Sequence, residues 1–457
     1  MSLRISFRLA LALSLLAAPL PAAAELTRAE RTMIATVDAE QERTLAMLEK
    51  WVNQNSGSLN IEGVTKVGEM LRAELEPLGF KVDWIDMKAA GRAGHIVARH
   101  AGKPGGKRLL LIGHLDTVYE TDSPFQRWSR KGNDGEGPGA GDDKGGMAVM
   151  IAALRAMKAA GTLKNANVEI VLTGDEEDSG NPIELARRDL IAAGKRADAA
   201  LDFEGLAQDG GKDMGSIARR SSGSWTLTVT APSGHSSGVC SAPAGCGANY
   251  ALIDILDRFR RELPEDKLTF NVGLMGGGDS AKLDEGRIRI AATGKTNIIA
   301  ATAVARGDLR ALSREQIEKV QAKMRAIVAK ALPRASATIE FDSDGYPPMA
   351  PTAGNKALLD RLNVVNADLG LEPMGTLDPL KRGAGDISFV AADVDGLVGL
   401  GPASRGDHAP GETVDIASIW RQAKRAATEI SQETNAASAS QDLRADRELR
   451  GRQQCEE

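Results

Sequence analysis

The chain has 457 residues, 42% hydrophobic and 26% charged, with a formal net charge of -5, a makeup that fits about two folded domains and excludes a largely disordered chain. Mild acidity without basic clusters excludes nucleic acid as a partner. Three cysteines are too few for a disulfide scaffold, although Cys240 and Cys246, six positions apart in a Gly/Pro/Ser loop, are free to pair in an oxidising compartment.

Residues 1–24 read as a secretory signal. Arg4 and Arg8 are cationic, Leu9 to Ala18 is an apolar run, and Pro19 to Ala24 ends in the small residues a signal peptidase accepts. The run is too short to span a bilayer. The mature chain is expected to begin near Glu25, to be periplasmic or secreted, and to have no membrane attachment after cleavage. Loss of Arg4 and Arg8 takes its net charge from -5 to -7.

Four short apolar runs then lead into polar residues, as parallel strands do when their carboxyl ends carry a site. Leu109 to Gly113 leads into His114, Val168 to Leu172 into Glu176, Ala199 to Phe203 into Glu204, and Gly396 to Leu400 into the loop holding His408. Helical stretches lie between them, such as Met147 to Ala159 with Gly161 as its cap. The alternation predicts an α/β domain over 25–214 and 346–432, built on a mainly parallel sheet with helices on both faces.

The stretch 215–345 has another pattern. Trp225, Leu227 and Val229 alternate with polar residues as in a half-buried strand, and Ala248 to Leu263 is helical. Strand-like Leu268 to Leu274 and Thr302 to Leu309 follow, then a helix from Ser313 with Gln316 in capping-box register, then strand-like Ala335 to Phe341. The order βαββαβ predicts an inserted ferredoxin-like α+β domain. Tyr346-Pro347-Pro348 marks its exit as a linker, and 433–457 is a polar, charged tail.

Five residues stand at strand ends or in glycine-rich turns: His114, Asp142, Glu177, Glu204 and His408. Two imidazoles and three carboxylates suit a pair of borderline cations such as zinc. If Asp142 bridges, each ion gains two ligands of its own and a shared water has room. Singly, His114 also reads as a hydrogen-bonded core histidine, Glu176-Glu177 as a solvated turn, and Asp142-Asp143 as a turn or helix N-cap. One dinuclear site accounts for all of them at once.

The motifs His-Leu-Asp-Thr-Val, Gly-Asp-Asp-Lys-Gly-Gly and Asp-Glu-Glu, in this order, resemble the zinc carboxypeptidases and deacylases that include glutamate carboxypeptidase, acetylornithine deacetylase, succinyl-diaminopimelate desuccinylase and aminoacylase. The resemblance runs over about 40–430 and implies two zinc ions, with cobalt or manganese able to take the same ligands. His114 and Glu204 would hold one, Glu177 and His408 the other, with Asp142 shared. Asp116 matches the carboxylate that orients the ligand imidazole, and Glu176 the general base. In the insert, His235 resembles the histidine that reaches a partner subunit's site and stabilises the oxyanion, which implies a homodimer. Asn297 and Arg310 match positions that bind the substrate's carboxylate end. The loop Arg382-Gly383-Ala384-Gly385-Asp386 replaces the usual run of glycines and a threonine, with Gly383 at a substrate-binding position.

The expected activity is hydrolysis of an amide beside a free carboxylate, on peptides or N-acyl amino acids, with glutamate among the leaving residues. Deacylation of a biosynthetic intermediate and a catalytically silent binding role are the alternatives; export disfavours the first, and an intact ligand set and base disfavour the second.

Overall fold

The structure, a computed structural model, describes residues 26–435; the expected signal segment and nearly all of the expected tail lie outside the described residues. A six-stranded sheet runs in the order Lys81–Asp86, Gly94–His100, Asn167–Thr173, Arg108–His114, Ala199–Asp202, Gly396–Val398. The last four strands are parallel, and Gly94–His100 runs against both of its neighbours. Along Arg108–His114 the side chains alternate between two cores. Leu109 and Leu111 enter one, and Leu110 and Ile112 enter the other. Burial on both faces is why this run shows no polar alternation in the sequence.

The helices Lys144–Ala160 and Ile416–Asn435 cover the first face, and Leu190 and Ala193 of Arg188–Gly194 pack on the second. Lys144–Ala160 ends at Gly161, whose φ of 73° is the left-handed conformation a C-terminal glycine accepts without strain. The fold is therefore α/β with helices on both faces, as the alternation of runs predicts.

The second sheet draws on 223–341. Gly223–Thr230 lies between Thr302–Arg310 and Ser336–Phe341, and Thr302–Arg310 also pairs with Thr269–Phe270 and Leu274–Gly278, all antiparallel. With Gly247–Glu262 and Arg314–Val328 as its helices, this order is ferredoxin-like. Ser313 caps the second helix by accepting from the Gln316 N–H. The sheet has its own core, in which Trp225 meets Phe259 edge-on at 5.9 Å.

Two details depart from the sequence pattern. The single strand expected over 268–274 is divided in two, and a hairpin of Ser280–Leu283 with Ile290–Thr293 follows it. The run Gly276-Gly277-Gly278 has no side chains to alternate, and a Cβ at Gly277 would lie 2.0 Å from Asn249 Oδ1, so close packing explains glycine there. Cys240 and Cys246 are joined as a disulfide in the loop before Gly247–Glu262.

The chain crosses between the two sheets twice, and the crossings touch. Arg219 bridges Met349, and Ser222 bridges Tyr346. The helix Ile416–Asn435 extends into the segment read as a tail, where Glu433 pairs with Lys107 at 2.9 Å. Among the described residues no helix is long and apolar enough to cross a membrane.

Candidate metal centre

Parallel strands present their carboxyl ends along one edge, so the residues that follow them converge. His114 ends Arg108–His114, Glu176 and Glu177 follow Asn167–Thr173, and Glu204 follows Ala199–Asp202. Asp142 comes from the glycine-rich turn before Lys144–Ala160, and His408 from the loop after Gly396–Val398.

Asp142 stands between the two imidazoles. His114 Nε2 lies 2.9 Å from its Oδ1, and His408 Nε2 lies 3.1 Å from its Oδ2. Glu177 Oε2 is 3.2 Å from His408 Nε2. His114, Asp142 and Glu177 each place a donor atom within 4.8 Å of the others. Glu204 faces the same space but is drawn to two guanidinium groups, Arg219 Nη1 at 2.6 Å and Arg382 Nη2 at 3.3 Å. The Arg219 contact is an ion pair by distance, without hydrogen-bond alignment.

The other nitrogen of His114 faces Asp116, with Nδ1 3.1 Å from its carbonyl and 3.4 Å from Oδ1. Asp116 is fully buried and also accepts from the Glu176 N–H at 3.0 Å, the Glu177 N–H at 3.1 Å and the Ser58 hydroxyl at 2.6 Å. One carboxylate thus sets the ring of His114 and the backbone of both glutamates.

The electrostatics favour a cation. Burial, reinforced by Asp142, pushes Glu177 up to about 8, and burial with several neighbouring carboxylates raises Glu176 well above the usual range. Burial also opposes ionisation of Asp142, but the two histidines outweigh it and hold its carboxyl far below that range. The bond to Asp142 lifts His408 to about 9. Carboxylates and imidazoles gathered this closely are a donor set that fits a divalent cation.

The remaining sequence-read residues divide. Gly383 lines a cavity of about 290 Å3 together with Asp142, Glu176, Glu204 and His408. His235, Asn297 and Arg310 are not among its lining residues. His235 is exposed and pairs through its backbone with Ile298, beside exposed Asn297. Arg310 Nε donates to Asp308 at 3.0 Å.

Several supports were not legible as site residues. Glu412, 1% exposed, accepts main-chain N–H groups from Gly139 at 3.2 Å, Gly141 at 2.8 Å and Asp142 at 3.1 Å. It ties the His408 loop to the Asp142 turn, and Tyr119 adds a hydroxyl bond to the Ala409 carbonyl at 2.7 Å. His408 keeps a left-handed φ of 64° in that loop, uncommon outside glycine. Behind the glutamates, fully buried Arg187 bonds Asp175 Oδ1 at 2.6 Å, the Asp175 carbonyl at 2.9 Å and Tyr346 Oη at 2.8 Å. Arg219 donates to the carbonyls of Gly383 and Ala384. A side chain at Gly385 would push the Arg219–Glu204 pair aside, since a Cβ there would lie 2.1 Å from Arg219 Nη1 and 2.4 Å from Glu204 Oε1.

A profile of peptidase family M20/M25/M40 matches residues 110–431. The chain belongs to that family. It is 31% identical over 404 residues to carboxypeptidase G2 of Pseudomonas sp. (strain RS-16), covering 85% of this chain and 88% of that one. Among solved structures, aminopeptidase PepT from Bacillus cereus ATCC 10987 aligns with a TM-score of 0.67 at 18% identity, over 86% of this chain and 98% of that one. The YXEP protein of Bacillus subtilis, described as a dinuclear metal binding peptidase of family M20, aligns at 0.60 and 15% identity over 87% and 99%. Both structures share their fold with this chain, and a shared fold leaves its substrate to be argued from the site.

Proposed function

We propose that this hydrolase is an exported carboxypeptidase that cleaves an amide bond beside a free carboxylate, releasing a C-terminal amino acid, glutamate among the candidates, from peptides or N-acyl amino acids. The observation that carries the reading is the pair of imidazoles on separate oxygens of Asp142, with Glu176 on the wall of the same cavity. His114 and Glu204 would hold one zinc ion and Glu177 and His408 the other, Asp142 being shared; such a pair supplies Lewis acidity and a more acidic water.

Within that frame the protein's own groups divide the work. Glu176 takes a proton from the attacking water and returns it to the leaving nitrogen. Asp116 holds His114 in the orientation and tautomer a ligand needs. Asn297 and Arg310 contact the C-terminal residue of the substrate from the insert, and Gly383 lies along its path. His235 serves the site of a second copy, where it stabilises the oxyanion. Its exposure and its absence from the cavity of its own chain support that role, as do exposed Tyr250, Ile253 and Met275 on the same insert, an apolar set suited to a homodimer.

The test is a panel of dipeptides and N-acyl amino acids offered to the purified zinc form. Release of the C-terminal residue from several of them is expected. Hydrolysis confined to one acyl group whatever the amino acid would make the chain a deacylase, and no hydrolysis of any compound would leave the binding role.

A further inference from the structure

We propose that Arg382 forms a binding site for the substrate's free carboxylate, so that this chain reads the carboxyl end of its substrate and disfavours a free amino end near the scissile bond. This rests on the hydrolytic reading above and names the residue that would set its specificity.

Three cationic side chains line the cavity that also holds Asp142, Glu176 and His408: Arg219, Lys381 and Arg382. Two are already engaged. Arg219 is 5% exposed, ion-paired with Glu204 and bonded to two loop carbonyls. Lys381 is half-exposed and pairs with Asp209 at 2.7 Å. Arg382 differs from both. Its side chain is 17% exposed, and its one hydrogen bond among the described residues is the 3.3 Å contact from Nη2 to Glu204 Oε2. The rest of its fork makes no hydrogen bond among the described residues, and its other charged neighbour on the cavity wall is Asp407.

A planar guanidinium takes a carboxylate through two parallel N–H bonds, and partial burial strengthens the contact relative to open water. The segment carrying Arg382 is also pre-set. Arg219 holds the carbonyls of Gly383 and Ala384, and Gly385 packs against Arg219 and Glu204 too closely for a Cβ. A cation fixed before binding costs less ordering when the ligand arrives. When Glu204 serves as a ligand, its charge is engaged elsewhere, and the long contact to Arg382 is the weaker demand on that guanidinium. An ammonium brought to the same place would meet a like charge.

The experiment uses the zinc-loaded full chain carrying Glu176→Gln, so that ligands are bound without being consumed. Calorimetry measures N-benzoyl derivatives of glycine, alanine, leucine and glutamate against the α-carboxamide of each. At least one acid is expected to bind about tenfold or more tighter than its carboxamide, the scale of one charge-assisted pair. Adding Arg382→Gln should abolish that preference while carboxamide affinity and zinc content hold, and Arg382→Lys should keep part of it. A preference that survives Arg382→Gln, or is absent from all four pairs, overturns the proposal. So does loss of zinc in Arg382→Gln, which would make the residue a support for Glu204 instead. Turnover by the chain with Glu176 intact is scored separately. A preference that depends on Arg382 but comes without hydrolysis keeps this site and removes the hydrolytic reading.

Discussion

The phenol of Tyr346 donates to the main-chain carbonyl of Glu176 across 2.7 Å. Its backbone carbonyl meanwhile accepts from the Ser222 N–H at 3.0 Å, where the two crossings between the sheets touch. One residue therefore joins the crossing to the proposed base. Tyr346→Phe removes only the hydroxyl and deprives a buried carbonyl and Arg187 of a partner. We expect kcat to fall about tenfold, with KM and metal content unchanged and a stability loss of about 1–3 kcal/mol. Steady-state kinetics with thermal unfolding checks this; lower stability at full kcat would make Tyr346 a purely structural part.

Glu176→Gln keeps the shape of the side chain and removes its basicity. Zinc content should persist while kcat falls roughly a hundredfold to ten-thousandfold, with substrate affinity little changed. Metal analysis beside the kinetics decides the assignment, because zinc loss in this variant would exchange the roles of Glu176 and Glu177.

Asp142 faces both imidazoles, so Asp142→Ala should deplete both ions, whereas Glu204→Ala should deplete one. The native chain is expected to carry about two zinc equivalents, measured by elemental analysis after exhaustive buffer exchange. Asp142→Ala retaining one full equivalent and its activity would argue against a shared ligand.

Zinc affinity should rise with pH. In the metal-free chain Glu177 titrates at about 8 and His408 at about 9, so both hold a proton at neutral pH and must release it to ligate. Affinity is therefore weakest below pH 8 and gains until both have deprotonated. Chelator competition between pH 6 and 9, with calorimetry in buffers of different ionisation enthalpy, should show protons released on binding.

Much of this centre was legible because its chemistry sits at the ends of local patterns. His114, Glu176 and Glu204 each follow an apolar run, and a strand buried on both faces announces itself by lacking polar alternation. Tyr346, Arg187 and Glu412 carry no such signal. Tyr346 reads as part of a Tyr-Pro-Pro linker, and its bond to Glu176 spans 170 positions; no periodicity encodes a contact of that range. The hairpin after Leu274–Gly278 escaped for a different reason. Its strands are four residues each and mostly exposed, so no buried face imposes a rhythm on the sequence.

Glu412 has a consequence for the order in which the molecule is completed. The turn of Gly139, Gly141 and Asp142 offers N–H groups that are satisfied only by a carboxylate about 270 positions further along. A growing chain that has made His114, Asp142 and Glu177 possesses half of an ion site whose anchor does not yet exist. The Asp142 turn gains these acceptors only when 408–412 docks. A chain cut anywhere before Glu412 loses that anchor outright, rather than suffering a graded decline.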